Sequence, residues 1–151
     1  MIHSVKVKDL RVIPDERGRV MELLRCDDEI FRKFGQVYMS ATFPGIVKGW
    51  HKHQIQEDNI VCVKGMLKLV LYDDRENSPT QGEINEFYIG DYNPQLVHIP
   101  SQVHHGWKCI SETEAIVINC VTEPYNYKNP DQTNFPPHNG PIPYDWSVIE
   151  K

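Results

Sequence analysis

Lys48-Gly49-Trp50-His51-Lys52-His53 leads through Glu57 into Ile60-Val61-Cys62-Val63 and a turn at Lys64-Gly65. His51 and His53 stand at i and i+2, so in an extended strand both imidazoles lie on one face. A second pair, His104-His105, follows Ile99-Pro100-Ser101-Gln102-Val103 and opens another strand pattern. Two histidine-bearing β segments in a short chain predict a pocket inside a β structure.

The rest of the chain fits that frame. Its 151 residues suit one domain spanning 1–151, long enough to bury about two thirds of the unfolded surface. A net charge of −5 argues against a nucleic-acid partner, which would select a basic face. No apolar run approaches the roughly 18 residues of a membrane span. The start, Met1-Ile2-His3-Ser4-Val5-Lys6, lacks the apolar stretch of a secretory signal. Cys26, Cys62, Cys109 and Cys120 have no CxxC spacing, so free thiols are expected. These features together predict a cytoplasmic protein.

Upstream of the histidines, Val5–Ile13 reads as a strand, Asp15-Glu16-Arg17-Gly18 as a turn and Arg19–Leu24 as a returning strand. Asp27–Gly35 reads as a short helix, with acids in its first turn and glycine at its end. Gln36–Thr42 resumes strand alternation. Downstream, Met66–Tyr72, Glu83–Ile89, Gln95–Ile99, His105–Ile110 and Ala115–Val121 are further strands. Asp73-Asp74-Arg75-Glu76 reads as a solvated loop. Short strands at this spacing predict an all-β sandwich or barrel. After Val121 periodicity stops, and six of the 11 prolines fall from Pro124 to Pro143. Tyr125, Tyr127, Phe135, Tyr144 and Trp146 argue against disorder there; an ordered Pro-rich C-terminal arm over the barrel or a partner subunit is expected.

Two chemistries suit the histidines. Gly45…His51-Lys52-His53…Glu57…Gly65 with Pro100…His105 tracks the metal-binding cupin pattern. On that reading His51, His53, Glu57 and His105 would hold iron, manganese, nickel or zinc. The other is metal-free proton transfer at a carbon next to a carbonyl, for which histidine is a suitable base. It needs a base (His51), a group to steady the enolate oxygen (Lys48 or His105) and a proton donor opposite the base.

Several pieces occur in a telling order: Asp15-Glu16-Arg17-Gly18 with Glu22, Gln36-Val37-Tyr38-Met39-Ser40, and Lys48-Gly49-Trp50-His51. Asp74-Arg75…Ser78-Pro79-Thr80-Gln81-Gly82, Ile99-Pro100…His105-Gly106-Trp107 and Ser111-Glu112 before Tyr125 follow. In these the chain resembles the nucleotide-sugar epimerases typified by dTDP-4-dehydrorhamnose 3,5-epimerase, from Asp15 to about Trp146. The resemblance implies a cupin, or jelly-roll, β-barrel and a homodimer acting on a nucleotide-diphosphate sugar. Because these epimerases use no metal, it implies no cofactor. It puts His51 at the catalytic base position and Lys48 where an arginine contacts the sugar or diphosphate, keeping charge but losing the bidentate fork. His105 matches a pocket histidine and Tyr125 an aromatic near the sugar. Arg17 and Glu22 match residues that reach the nucleotide across a dimer interface, with Gln36 and Tyr38 nearby.

Three departures from the family set further expectations. His53 stands where these epimerases usually carry glutamine, and Gly-Trp-His-x-His resembles the related 3,4-ketoisomerases. Asn119 stands where the family has its catalytic tyrosine; an amide is no acid, so inversion at C3 alone is expected. The chain ends before the aspartate that usually pairs with the base, which leaves Glu150, Asp145 or water as candidate partners. The Trp-His-x-His form and Ile142-Pro143-Tyr144-Asp145-Trp146 look like a capsular GDP-heptose branch, with thymidine and guanosine nucleotides both open. A ketoisomerase, a metal-dependent cupin and a non-catalytic sugar-binding module remain alternatives.

Overall fold

The computed structural model of the chain describes residues 1–148. Its strands begin with β1 (Lys6–Asp9), β2 (Val12–Asp15), β3 (Gly18–Met21) and β4 (Gln36–Thr42). Next come β5 (Val47–Lys52), β6 (Asp58–Lys64), β7 (Met66–Tyr72) and β8 (Ile84–Gly90). The last are β9 (Gln95–Ile99), β10 (His104–Cys109), β11 (Ala115–Val121) and β12 (Thr133–Asn134). Two five-stranded sheets, ordered β1-β9-β6-β11-β4 and β12-β5-β10-β7-β8, face each other, with β2-β3 as a separate hairpin.

Alternation explains the layers. Ile60, Cys62, Val97, Ile99 and Val117 point in from the first sheet. Leu67, Leu69, Leu71, Ile89, Trp107 and Cys109 meet them from the second, forming one dry core. Every pairing is antiparallel. The fold is all-β as expected, but the barrel is not closed: no strand of one sheet pairs with a strand of the other among the described residues.

The expected helix is also absent. Residues 27–30 form turns and 31–35 run without regular structure, with Phe31 N–H bonded to Asp28 O at 3.0 Å. A stretch this short gains little from helix formation, and its side chains have other partners. The Asp28 carboxylate takes Lys8 Nζ and the Arg25 N–H, while Ile30 is buried against Leu10, Val61 and Leu96. Gly35 is not a helix cap: a Cβ there would sit 2.5 Å from the backbone of Thr122 and Glu123.

The Pro-rich segment is not a separate arm. It supplies β12, which pairs Thr133 with Lys52 and Asn134 with His51, and it seals the outer face of the second sheet. There Trp146, Ile142 and Val70 bury around Trp50, the two tryptophan rings 5.1 Å apart. Burying one such ring contributes at most about 4–6 kcal/mol, from 150–250 Å² at ~25 cal/mol/Å².

The 73–76 loop is not simply solvated. Asp73 is fully buried and accepts hydrogen bonds from Arg75 Nε, Ser78 Oγ and Thr80 Oγ1. Burial would raise its pKa, but these donors outweigh it and hold the carboxyl well below the usual range. Asp74 joins Lys52 and His104 at 2.9 and 2.7 Å, so the loop braces β5 and β10. No helix among the described residues is long and apolar enough to cross a membrane.

Candidate active site

The site lies between the sheets where β5 is irregular. His105 pairs with His51, yet Trp107 pairs with Lys48, so β5 carries one residue more than β10 over this stretch. That bulge lets Lys48 and His51, three apart, face one cavity. Gly49 makes it possible, because a Cβ there would lie 2.8 Å from Gly106 Cα. The Gly49–Trp50 peptide is cis.

The cavity measures about 170 Å³. Tyr38 and Ser40 of β4 form one wall; Lys48, His51, His53, His105 and Trp107 form the other; Gln132 closes an end. The walls belong to opposite sheets, so Tyr38 and His51 stand on opposite sides of whatever enters.

His51 Nδ1 donates to Asn134 Oδ1 at 2.8 Å. Gln132 Nε2 donates to the same oxygen at 2.6 Å and lies 3.1 Å from His51 Nδ1. Because the Asn134 oxygen only accepts, its contact assigns the hydrogen to Nδ1 and leaves His51 Nε2 as the acceptor. Burial lowers its pKa, opposed by the Asn134 contact, with neighbouring His53 lowering it further, which favours the neutral ring. Asn134 thus takes the place expected for a carboxylate. Asp145 is not that partner, since it caps Ser147 instead. Glu150 lies outside the described residues.

Facing it, Tyr38 and Asn119 are direct cross-strand partners on β4 and β11. Asn119 Nδ2 donates to Tyr38 Oη at 2.9 Å and to Asp58 Oδ1 at 2.8 Å, and Asn119 Oδ1 accepts from Asn59 N at 3.0 Å. Asn119 is fully buried and clamped by these bonds. Burial and then the Asp58 charge push the Tyr38 phenol up to about 12, against the pull of Asn119, so it keeps its proton at neutral pH.

Behind His51, His53 and His105 stack with centroids 5.7 Å apart. Each ring's Nε2 is 3.9 Å from Asp58 Oδ2. His53 Nδ1 bonds the Asp131 carbonyl, and the Asp131 carboxylate takes three N–H groups, from Gln54, Ile55 and Gln56. Burial pulls His105 down to about 4. Ligand atoms of His53, Asp58 and His105 all lie within 4.8 Å of one another. The metal set expected from spacing therefore differs in its acid and in His51: Glu57 turns away, its Oε2 3.7 Å from His98 Nε2. Lys48 Nζ bridges the walls, donating to Ser40 Oγ at 2.9 Å and Ala41 O at 2.6 Å.

The remaining expected residues are not gathered here. Arg17 sits at the exposed tip between β2 and β3 and pairs with Asp15 at 2.6 Å; exposed Glu22 pairs with Arg25 at 3.2 Å. Gln36 accepts the Tyr125 N–H at 2.8 Å, and Tyr125 lines a separate depression with Ile55 and residues 123–131. Sequence reasoning missed Asp58, Gln132 and Asn134. Strand parity could have found Asp58, which shares the inward face of Ile60 and Cys62; the other two lie where periodicity is lost.

Comparison with known proteins bears on the family and the fold. Residues 1–150 match the family described as dTDP-4-dehydrorhamnose 3,5-epimerase. The chain is 44% identical to "Probable low-salt glycan biosynthesis epimerase Agl13" of Haloferax volcanii, covering 97% of this chain and 96% of that one. It is 39% identical to the Bacillus subtilis spore coat polysaccharide biosynthesis protein SpsL, covering 98% of each. Among solved structures, a dTDP sugar isomerase from Desulfovibrio desulfuricans G20 superposes with a TM-score of 0.92 at 33% identity, covering 99% of this chain and 94% of that one.

Proposed function

Because the chain belongs to the dTDP-4-dehydrorhamnose 3,5-epimerase family, we propose that it epimerises a nucleotide-diphosphate-linked 4-keto sugar at C3, in polysaccharide or glycan assembly. The observation that carries this reading is the placement of His51 and Tyr38 on opposite walls of one cavity. His51 Nε2 takes the C3 proton, made acidic by the C4 ketone, and the bonding pair moves onto the ketone oxygen. Tyr38 Oη returns a proton to C3 from the far face. Sequence reasoning gave Tyr38 to the nucleotide; its bond to Asn119 supports a role as the acid that position 119 lacks. A single phenol one strand away from that position suits inversion of one carbon, leaving C5 untouched.

The sugar is a 4-keto-6-deoxy hexose or a heptose, on a thymidine or guanosine diphosphate. Incubation with dTDP- and GDP-linked 4-keto sugars, followed by proton NMR, tests the reading. The expected product is inverted at C3 only. A 3-keto isomer would make the enzyme a ketoisomerase, and unaltered sugars from both nucleotide series would overturn the proposal.

A homodimer completes the nucleotide site in this reading. The β2-β3 hairpin carries exposed Ile13 and Val20, and edge strand β4 exposes Val37 and Met39. Apolar edges of this kind are usually covered, and the hairpin of a second copy laid on β4 would bring Arg17 and Glu22 towards Gln36. Light scattering at micromolar concentration should return twice the chain mass. A monomer would remove Arg17 and Glu22 from the nucleotide site.

A further inference from the structure

The geometry points to a divalent-cation site built from His53, Asp58 and His105, beside the proton-transfer pair and distinct from it. The argument starts from where the hydrogens sit. His53 Nδ1 faces the Asp131 carbonyl, and His105 Nδ1 faces the Val103 carbonyl at 3.4 Å. A carbonyl can only accept, so each Nδ1 carries the hydrogen and each Nε2 of the neutral ring presents a lone pair. Both Nε2 atoms aim at one oxygen, Asp58 Oδ2, at 3.9 Å. That distance is too long for a hydrogen bond. Three acceptors thus converge on one point, an arrangement that a cation would satisfy.

Asp58 itself is held for that purpose. It is 2% exposed, and its other oxygen, Oδ1, accepts from Asn119 Nδ2 at 2.8 Å and Gln56 Nε2 at 3.0 Å. Among the described residues its ion-pair partners are the two histidines alone. Buried carboxylates are paired or bind metals. Imidazoles whose second nitrogen is anchored to a carbonyl are the usual state of histidine ligands. Ligands about 2.1 Å from a metal and at right angles lie about 3 Å apart, so the groups need to close by about 1 Å. Two imidazoles and one carboxylate suit Fe²⁺, Mn²⁺, Co²⁺ or Zn²⁺ and leave coordination positions open.

His53 and His105 also line the cavity that holds His51 and Tyr38. A cation held by these residues would adjoin the substrate space and would supply a seat for the ketone oxygen as it becomes negative. His51 and Tyr38 still move the protons. This goes beyond the epimerase reading and replaces the expectation of a cofactor-free site. It needs no substrate for its test, so the two can fail separately.

The full-length protein is stripped with a chelator, dialysed, and titrated with Co²⁺ and with Zn²⁺ by calorimetry and by Co²⁺ absorption. One equivalent should bind, raising the melting temperature. Asp58→Asn, nearly isosteric, should weaken binding at least about 100-fold, whereas Glu57→Gln, whose carboxylate points elsewhere, should leave it unchanged. If Asp58→Asn fails to fold by circular dichroism, His53→Gln serves as the ligand variant with the same expectation. Failure of the wild type to bind either ion at millimolar concentration, or a folded ligand variant that binds as tightly as wild type, overturns the site.

Discussion

His51→Asn should lower turnover by about 10²–10⁴, the usual contribution of a positioned acid–base group, or about 2.7–5.4 kcal/mol of barrier. Asparagine can keep a hydrogen bond to Asn134 in place of the 2.8 Å contact from Nδ1, so the pocket wall is preserved while the basic nitrogen is lost. Nucleotide affinity should stay close to wild type, because those contacts are assigned to Arg17, Glu22 and Gln36. A thermal-shift titration with dTDP and GDP measures that arm, and ligand at 100 times its Kd should stabilise both proteins by about 2.7 kcal/mol. Steady-state kinetics measures the other. Retention of more than about half the wild-type activity would remove His51 from the base position.

Tyr38→Phe is expected to have a comparable effect on inversion, about 10²–10⁴, with a different signature. The variant loses the hydroxyl that Asn119 Nδ2 holds at 2.9 Å but keeps His51 intact. Proton abstraction should continue, and His51 should return a solvent proton to the face it came from. In deuterium oxide the recovered substrate should gain deuterium at C3 with unchanged configuration while epimer formation collapses. A residue that merely shaped the cavity would depress exchange and inversion together. Inversion at the wild-type rate would show that the far-face proton comes from another group.

Much of this architecture was legible from alternation. Gln36–Thr42, Met66–Tyr72, Gln95–Ile99 and Ala115–Val121 match β4, β7, β9 and β11 in their bounds, because each turns alternate residues towards the opposite sheet. His51 and His53 share a face for the same reason. Lys48 does so only through the bulge opposite His105–Trp107, and a bulge interrupts the parity that sequence reading depends on. Residues 27–35 had helical end signals, yet Asp28 and Ile30 are committed to Lys8 and to the Leu10 cluster; such tertiary contacts override local preference in a short segment. Glu57 was chosen over Asp58 by spacing, although only Asp58 points inward with Ile60. The partner of His51 was illegible for a deeper reason. Asn134 belongs to a Pro-rich stretch without periodicity, placed by the pairing of β12 with β5, a contact 83 residues away in the chain.

The central claim is that one proton leaves C3 towards His51 and another arrives from the opposite wall. The most direct measurement is the wild-type reaction on a 4-keto nucleotide sugar in deuterium oxide, followed by NMR at C3 and C5. The account predicts an epimer carrying a single solvent deuteron at C3, with the original hydrogen retained at C5. An epimer that keeps its original C3 hydrogen, or deuterium and inversion at both carbons, would contradict it.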